Sequence, residues 1–354
     1  MIGLIGPIRL IGRIYRDAKS FFFLKPRQVL WECLRRSKPA SCIFLLQKTP
    51  LDSEREALNN LTQFFMKITK LLVLLTALIV GMPNSQAADN CGYTIGLSMY
   101  SLRQLFSSGE LNAMDYPEFA KKTFGITKID VWEGGFPKDR IKDPKFYKEL
   151  KAQADKAGSE IFLYMAKPVD ARGKTAAERK AVAKEFFYTV DNAALLGSSF
   201  VRVFLRAPNG DRKVALDNSA EALLPIADYA KKKGITIVIE PGASEWSKKG
   251  TFLAALAKQM NHPNLRLMPD FGKMVGADPY GGTAAMMPYT DCVSAKSHDF
   301  DKDGNSTNFD YARLMKTIND AGFKGIVAIE YEGHKLGPVE GVKATQKLLQ
   351  RYQK

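Results

Sequence analysis

Four short apolar runs at near-constant spacing constrain this chain more than any other feature. They are Ile235–Glu240, Leu265–Asp270, Cys292–His298 and Ile326–Glu330, and each ends in a side chain able to bind a metal. The steps between those side chains are 30, 28 and 32 residues, the length of one strand plus one helix with their loops. Four further strand-like runs precede them: Thr94–Ser98, Lys128–Trp132, Glu160–Ala166 and Phe200–Leu205. Helical patterns separate the runs, at Pro144–Ala157, Thr175–Leu196, Ser219–Lys233, Gly250–Met260, Phe309–Ala321 and Pro338–Tyr352. The segment from Gly276 to Pro288 is glycine-rich and reads as loop with at most a short helix. Strands alternating with helices predict a parallel sheet. Eight such units predict closure into a (β/α)8 TIM barrel, whose strand ends meet at the C-terminal face where such barrels do chemistry.

The barrel needs only part of the 354 residues. Met66-Lys67-Ile68-Thr69-Lys70 is a basic start, Leu71 to Val80 is apolar but short for a membrane span, and Ser85-Gln86-Ala87 has the small residues of a cleavage site. The reading is a signal peptide at 66–87, starting at Met66, preceded at 1–65 by an upstream extension without sustained periodicity. A cleaved chain from Ala88 to Lys354 would form the barrel and be periplasmic or secreted, with no stable membrane association after cleavage. A homo-oligomer is compatible with this composition.

Charge supports the division. The formal net charge is +15, but residues 1–65 hold 11 basic and 5 acidic side chains, and 88–354 holds 39 and 32. A domain at +7 with interspersed charges shows no basic stripe for nucleic acid, so none is expected as a partner. Of four cysteines only Cys91 and Cys292 fall in the barrel segment, without the spacing of a zinc finger, and two free thiols are expected.

The chemistry-bearing residues are Glu240, Asp270, His298 and Glu330. Three carboxylates and an imidazole suit a divalent cation such as Mn, Mg, Co or Zn. Each alone has an ordinary alternative, Asp270 as a turn cap and Glu240 or Glu330 as the first residue of a solvated loop. Their shared position at run ends favours the ligand reading. His298 follows Ser294 and Lys296 at alternate positions and is the sole imidazole on that face.

Several segments resemble the sugar phosphate isomerase/epimerase family of xylose-isomerase-like barrels. They are Leu97-Ser98-Met99-Tyr100-Ser101-Leu102, Ile239-Glu240-Pro241-Gly242, Asn261-His262-Pro263-Asn264, Pro269-Asp270-Phe271-Gly272-Lys273, Ala295-Lys296-Ser297-His298-Asp299-Phe300-Asp301 and Ile329-Glu330-Tyr331-Glu332-Gly333. The resemblance runs from Tyr93 to the C-terminus. It implies a metal held by Glu240, Asp270, His298 and Glu330, and proton transfer beside a carbonyl with Glu240 and Glu330 as base and acid. Two departures stand out. The family's strand-7 signature is His-x-Lys, and aligning its Lys with Lys296 puts Ser294 at the metal position. Lys273 stands where epimerases carry a His, and an Arg expected after the strand-7 His is missing.

Around these lie candidate substrate contacts: Glu133, Lys167, Arg202, Trp246, Lys273, Lys296 and His334. For Lys167 and Arg202 a structural ion pair is an equal alternative, for Trp246 packing, and for His334 a plain loop role. Trp132 and Tyr100 are further stacking candidates. His262 reads as a turn residue. Asp301-Lys302-Asp303-Gly304-Asn305 has the start of a calcium loop but Ala312 at its twelfth position, and reads as a turn. The expected activity is a metal-dependent sugar isomerase or epimerase acting on a free sugar or keto-sugar. A keto-sugar or 3-keto-glycoside lyase or dehydratase and a non-catalytic sugar-binding barrel are the alternatives. Three histidines are too few for a multi-zinc nuclease.

Overall fold

Strands of a barrel show one face to the interior and the other to the surrounding helices, so both faces are buried and the runs read as nearly continuous apolar sequence. In the computed structural model, which describes residues 92–274 and 276–353, nine strands appear. They are β1 Thr94–Leu97, β2 Lys128–Trp132, β3 Glu160–Met165, β4 Val169–Asp170, β5 Phe200–Arg206, β6 Thr236–Glu240, β7 Leu265–Leu267, β8 Cys292–Ser297 and β9 Ile326–Tyr331. All pair in parallel, in the order β7-β6-β5-β3-β2-β1-β9-β8, with the two-residue β4 beside β5. The eight long strands are the eight expected runs. The seam between β7 and β8 is short: Leu267 bridges Thr290 and Asp270 bridges Ser294, with Ser294 N donating to Pro269 O at 2.9 Å. The fold is an α/β parallel-stranded, TIM-barrel-like one.

Nine helices among the described residues follow the strands: α1 Arg103–Ser108, α2 Tyr116–Phe124, α3 Pro144–Ala157, α4 Ala176–Leu196, α5 Arg212–Lys232, α6 Gly250–Met260, α7 Pro279–Met286, α8 Tyr311–Asp320 and α9 Pro338–Gln350. The reading placed no helix between the first two strands, where α1 and α2 stand. Both are short and end on left-handed glycines, Gly109 and Gly125. α5 begins two turns before the expected Ser219, because Asp211 caps it by accepting from Val214 N. Ser219 instead bonds back to Ala215 O inside the helix. α4 starts as predicted, with Thr175 and Glu178 forming a reciprocal capping box. Gly250 and Gly282 let α6 and α7 touch, since a Cβ on Gly250 would lie 2.5 Å from Gly282 O.

The main core lies between barrel and helices. A second cluster fills the interior, with Phe162, Met165, Val238, Met268, Cys292 and Ala328. Cys292 is a buried free thiol. The described residues belong to one unit, Asp89–Lys354. Cys91, the 66–87 signal segment and the 1–65 extension lie outside the described residues.

Candidate active site

Strand register explains which side chains meet. On β8 the interior-facing positions include Ser294 and Lys296, and Lys296 stands directly opposite Glu330 of β9. On β6 the last residue is Glu240, opposite Phe204 of β5. Asp270 lies three residues past β7, held by its bridge to Ser294. Oxygen atoms of Glu240, Asp270 and Glu330 therefore come within 4.8 Å of one another, all buried.

Two further side chains knit the cluster. Ser294 Oγ lies 2.7 Å from Asp270 Oδ2 and 2.6 Å from Glu330 Oε2. Lys296 Nζ donates to Glu330 Oε1 at 2.8 Å, lies 3.5 Å from Asp270 Oδ2, and is hydrogen-bonded to Glu332. Gly272 makes room for the lysine stem: a Cβ there would lie 2.5 Å from Lys296 Cδ. Gly272 N also donates to Asp270 Oδ1 at 2.8 Å. Arg202 Nε is 3.0 Å from Glu240 Oε2, but its N–H is not aimed at that oxygen, so the contact is an ion pair without a good hydrogen bond.

These contacts push the carboxylates apart in acidity. Burial alone raises every one of them. At Glu240 burial wins over the Arg202 charge, and its Oε1 is buried without a partner, so this group holds a proton more tightly than an ordinary glutamate. At Glu330 burial is outweighed by the Lys296 charge and by hydrogen bonds from Lys296 and Ser294, which hold it ionised. Asp270 is raised, mainly by burial.

The donor set fits a divalent cation. With all groups ionised, four carboxylates (Glu240, Asp270, Glu330, Glu332) face two cations (Arg202, Lys296), leaving two negative charges in a buried site. An unpartnered buried carboxylate oxygen on Glu240 is the kind of atom a metal would satisfy. Glu240, Asp270 and Glu330 are the residues that would hold it.

Glu240 and Glu330 open into a cavity of about 370 Å3. Tyr100, Trp132, Glu133, Lys167, Arg202, Phe204 and Lys273 line it with them. Tyr100 and Trp132 form an edge-to-face pair with ring centroids 4.9 Å apart. Of the expected substrate contacts, Glu133, Lys167, Arg202 and Lys273 reach this cavity.

Four expected residues are elsewhere. His298 contributes no atom to the carboxylate cluster: β8 ends at Ser297, the alternation stops there, and the ring packs edge-on to Phe309 at 5.7 Å. The interior position next to Asp270 and Glu330 belongs to Ser294. Lys296 is buried against carboxylates instead of reaching the cavity. Trp246 stacks on Phe252 at 5.5 Å, and its Nε1 donates to Gly210 O at 3.2 Å, outside the cavity lining. His334 is exposed in the loop after β9 and is not part of the lining. His262 does act in a turn, its Nδ1 accepting from Asn264 N at 3.1 Å. Asp301 spends its oxygens on Asp303 N, Asn305 N and Asn305 Nδ2, as a turn residue does.

The reading passed over Asp130 and Glu332. Asp130 lies mid-strand between Ile129 and Val131, fully buried, with one oxygen accepting from Met99 N at 2.8 Å and the other unpartnered. An acid inside an apolar run was a visible signal. Glu332 was visible only as a loop residue.

A sequence profile described as the xylose isomerase-like TIM barrel matches residues 118–352. The chain belongs to this family. No protein of curated function matches it by sequence. Solved structures share its fold. The apo 3-keto-D-glucoside 4-epimerase YcjR from E. coli is 12% identical with a TM-score of 0.57, covering 73% of this chain and 99% of its own. A sugar phosphate isomerase/epimerase from Parabacteroides distasonis is 20% identical with a TM-score of 0.56, covering 76% and 98%. The zinc-bound IolI protein is 14% identical with a TM-score of 0.59, covering 73% and 97%.

Proposed function

We propose that this chain is a sugar isomerase or epimerase that moves a proton beside a carbonyl, with a divalent metal held by Glu240, Asp270 and Glu330. The observation that carries the reading is three buried carboxylates, Glu240, Asp270 and Glu330, whose oxygens come within 4.8 Å of one another, two of them, Glu240 and Glu330, lining one cavity. The epimerase and isomerase names of structures sharing the fold agree with it.

A bound divalent cation would supply stabilisation of the negative charge that develops on a carbonyl oxygen. The rest falls to the chain. Glu330, held ionised by Lys296 and Ser294, accepts the proton from carbon. Glu240, across the cluster on β6, returns one. Return to the same carbon from the other face inverts it, and return to the neighbouring carbon isomerises the sugar. Tyr100 and Trp132 offer aromatic faces and edges to sugar C–H groups, and Glu133 Oε1, buried without a partner, accepts from a hydroxyl.

Deuterium uptake tests this. Free keto-sugars are incubated with the full chain in D2O, with Mn2+ or with EDTA, and C–H exchange beside the carbonyl is followed by NMR. We expect exchange with Mn2+, none with EDTA, and losses on the order of 10^2-fold or more in Glu240→Gln and Glu330→Gln. Sugar binding without exchange for any keto-sugar would replace the enzyme by a binding protein.

A further inference from the structure

Ser294 stands between two of the carboxylates that would hold the cation. Its Oγ is 2.7 Å from Asp270 Oδ2 and 2.6 Å from Glu330 Oε2. A hydroxyl carries one hydrogen, so it donates to one of these oxygens and meets the other with a lone pair. Oxygens that close, with no hydrogen between them, repel unless a positive species binds both. A proton does this in the metal-free chain, and a divalent cation does it with the hydroxyl oxygen as a ligand. The position is held on both sides of Asp270: Ser294 N donates to Pro269 O at 2.9 Å, and Ser294 O accepts from Phe271 N at 3.3 Å. In the same cluster Glu240 Oε1 is buried without a partner.

The cluster has no nitrogen or sulfur to offer. The chain has three histidines. His298 packs on Phe309, His262 is engaged in its turn with Asn264 N, and His334 stands exposed after β9. The Cys292 thiol is buried two residues before Ser294 but is not among the clustered ligand atoms. Lys296 Nζ is held as an ammonium by three carboxylates and has no lone pair to give. Among the described residues, the donors gathered here are three carboxylates and one hydroxyl.

From this geometry we infer that Ser294 Oγ is the fourth protein ligand of the cation, and that the all-oxygen donor set suits a hard ion, Mn2+ or Mg2+, without the usual advantage of Zn2+. Carboxylate and hydroxyl oxygens match those ions, whereas imidazole and thiolate are the donors that favour zinc. The inference rests on the metal-dependent reading above and names a further ligand and the class of metal for that site. The alternative to exclude is that Ser294 only props Asp270 and Glu330 by a hydrogen bond.

Exchanging the hydroxyl oxygen for sulfur separates the two cases. The full-length parent, Ser294→Cys and Ser294→Ala, kept under a phosphine reductant, are titrated with Mn2+, Mg2+ and Zn2+ in competition with a chelating dye. We expect the parent to bind Zn2+ at most about tenfold tighter than Mn2+, and Ser294→Cys to widen that ratio by about 100-fold or more. Ser294→Ala should lose about tenfold or more in Mn2+ affinity. Co2+ added to Ser294→Cys should give a thiolate-to-cobalt charge-transfer band that the parent, which keeps Cys292, does not show. A larger zinc preference in the parent, or Mn2+ affinity unchanged in Ser294→Ala, overturns the inference. So does a folded Ser294→Cys with neither the band nor the wider ratio, which would leave Ser294 the hydrogen-bonding role. Should Ser294→Cys fail to fold, the parent's own ratio and Ser294→Ala decide. These outcomes leave the metal reading standing as long as Asp270→Asn abolishes cation binding. A parent that binds none of the three cations sinks the metal reading itself.

Discussion

Lys296 is the residue on which the site turns. Its side chain is 3% exposed and meets three carboxylates. Charges this deep are tolerated only when paired, and removing one partner leaves the others uncompensated at a cost of about 3 kcal/mol or more. Lys296→Met should therefore lower stability sharply in EDTA. A divalent cation can take over the lost positive charge, so Mn2+ should raise the melting temperature of Lys296→Met more than that of the parent chain. Thermal melts with and without Mn2+ check this: an equal metal effect in both proteins would show that Lys296 is not coupled to the metal, and no effect in either would refute the carboxylate metal seat. The sequence made Glu240, Asp270 and Glu330 legible because each closes an apolar run. It left His298 and Ser294 as rivals at the fourth place, since alternation gives them the same face. Where β8 stops is decided by pairing with β9, which ends at Ser297 opposite Tyr331.

At the level of elements, caps and registers set the helix starts and the site's geometry. Thr175 accepts from Glu178 N while Glu178 reaches back to Thr175 N. Thr175→Ala should cost about 1 kcal/mol, read as a shift in denaturant midpoint without a change in slope. This box was legible because its two residues lie three apart in sequence. The start of α5 was not, because Ser219 looks like a cap and only the built helix shows its hydroxyl turned back to Ala215 O. Trp246 was misplaced for a similar reason. A tryptophan in the loop after β6 can face the cavity or the helix layer, and the Phe252 ring on α6 is what captures it.

Across the whole molecule, Asp130 ties stability to pH. Its carboxyl is fully buried on β2, and burial raises its pKa well above the ordinary aspartate value. The folded chain keeps that proton where the unfolded chain loses it. The contribution is favourable below the unfolded value near 4 and is lost as pH rises toward the folded value, at about 1.4 kcal/mol per pH unit for one proton. Asp130→Asn keeps an oxygen for Met99 N and has no proton to lose. It should be more stable than the parent at pH 7 and gain less at pH 4, measured by denaturant unfolding at both; a gain independent of pH would show that Asp130 is already ionised in the fold. Composition, periodicity and the spacing of ligand-ended runs were enough for the barrel, the strand positions and three carboxylates, because those depend on patterns within one or two units of chain. Which imidazole or hydroxyl joins them, and which lysine is buried and which faces the cavity, were decided by tertiary structure, because strand ends and registers are fixed between strands distant in sequence.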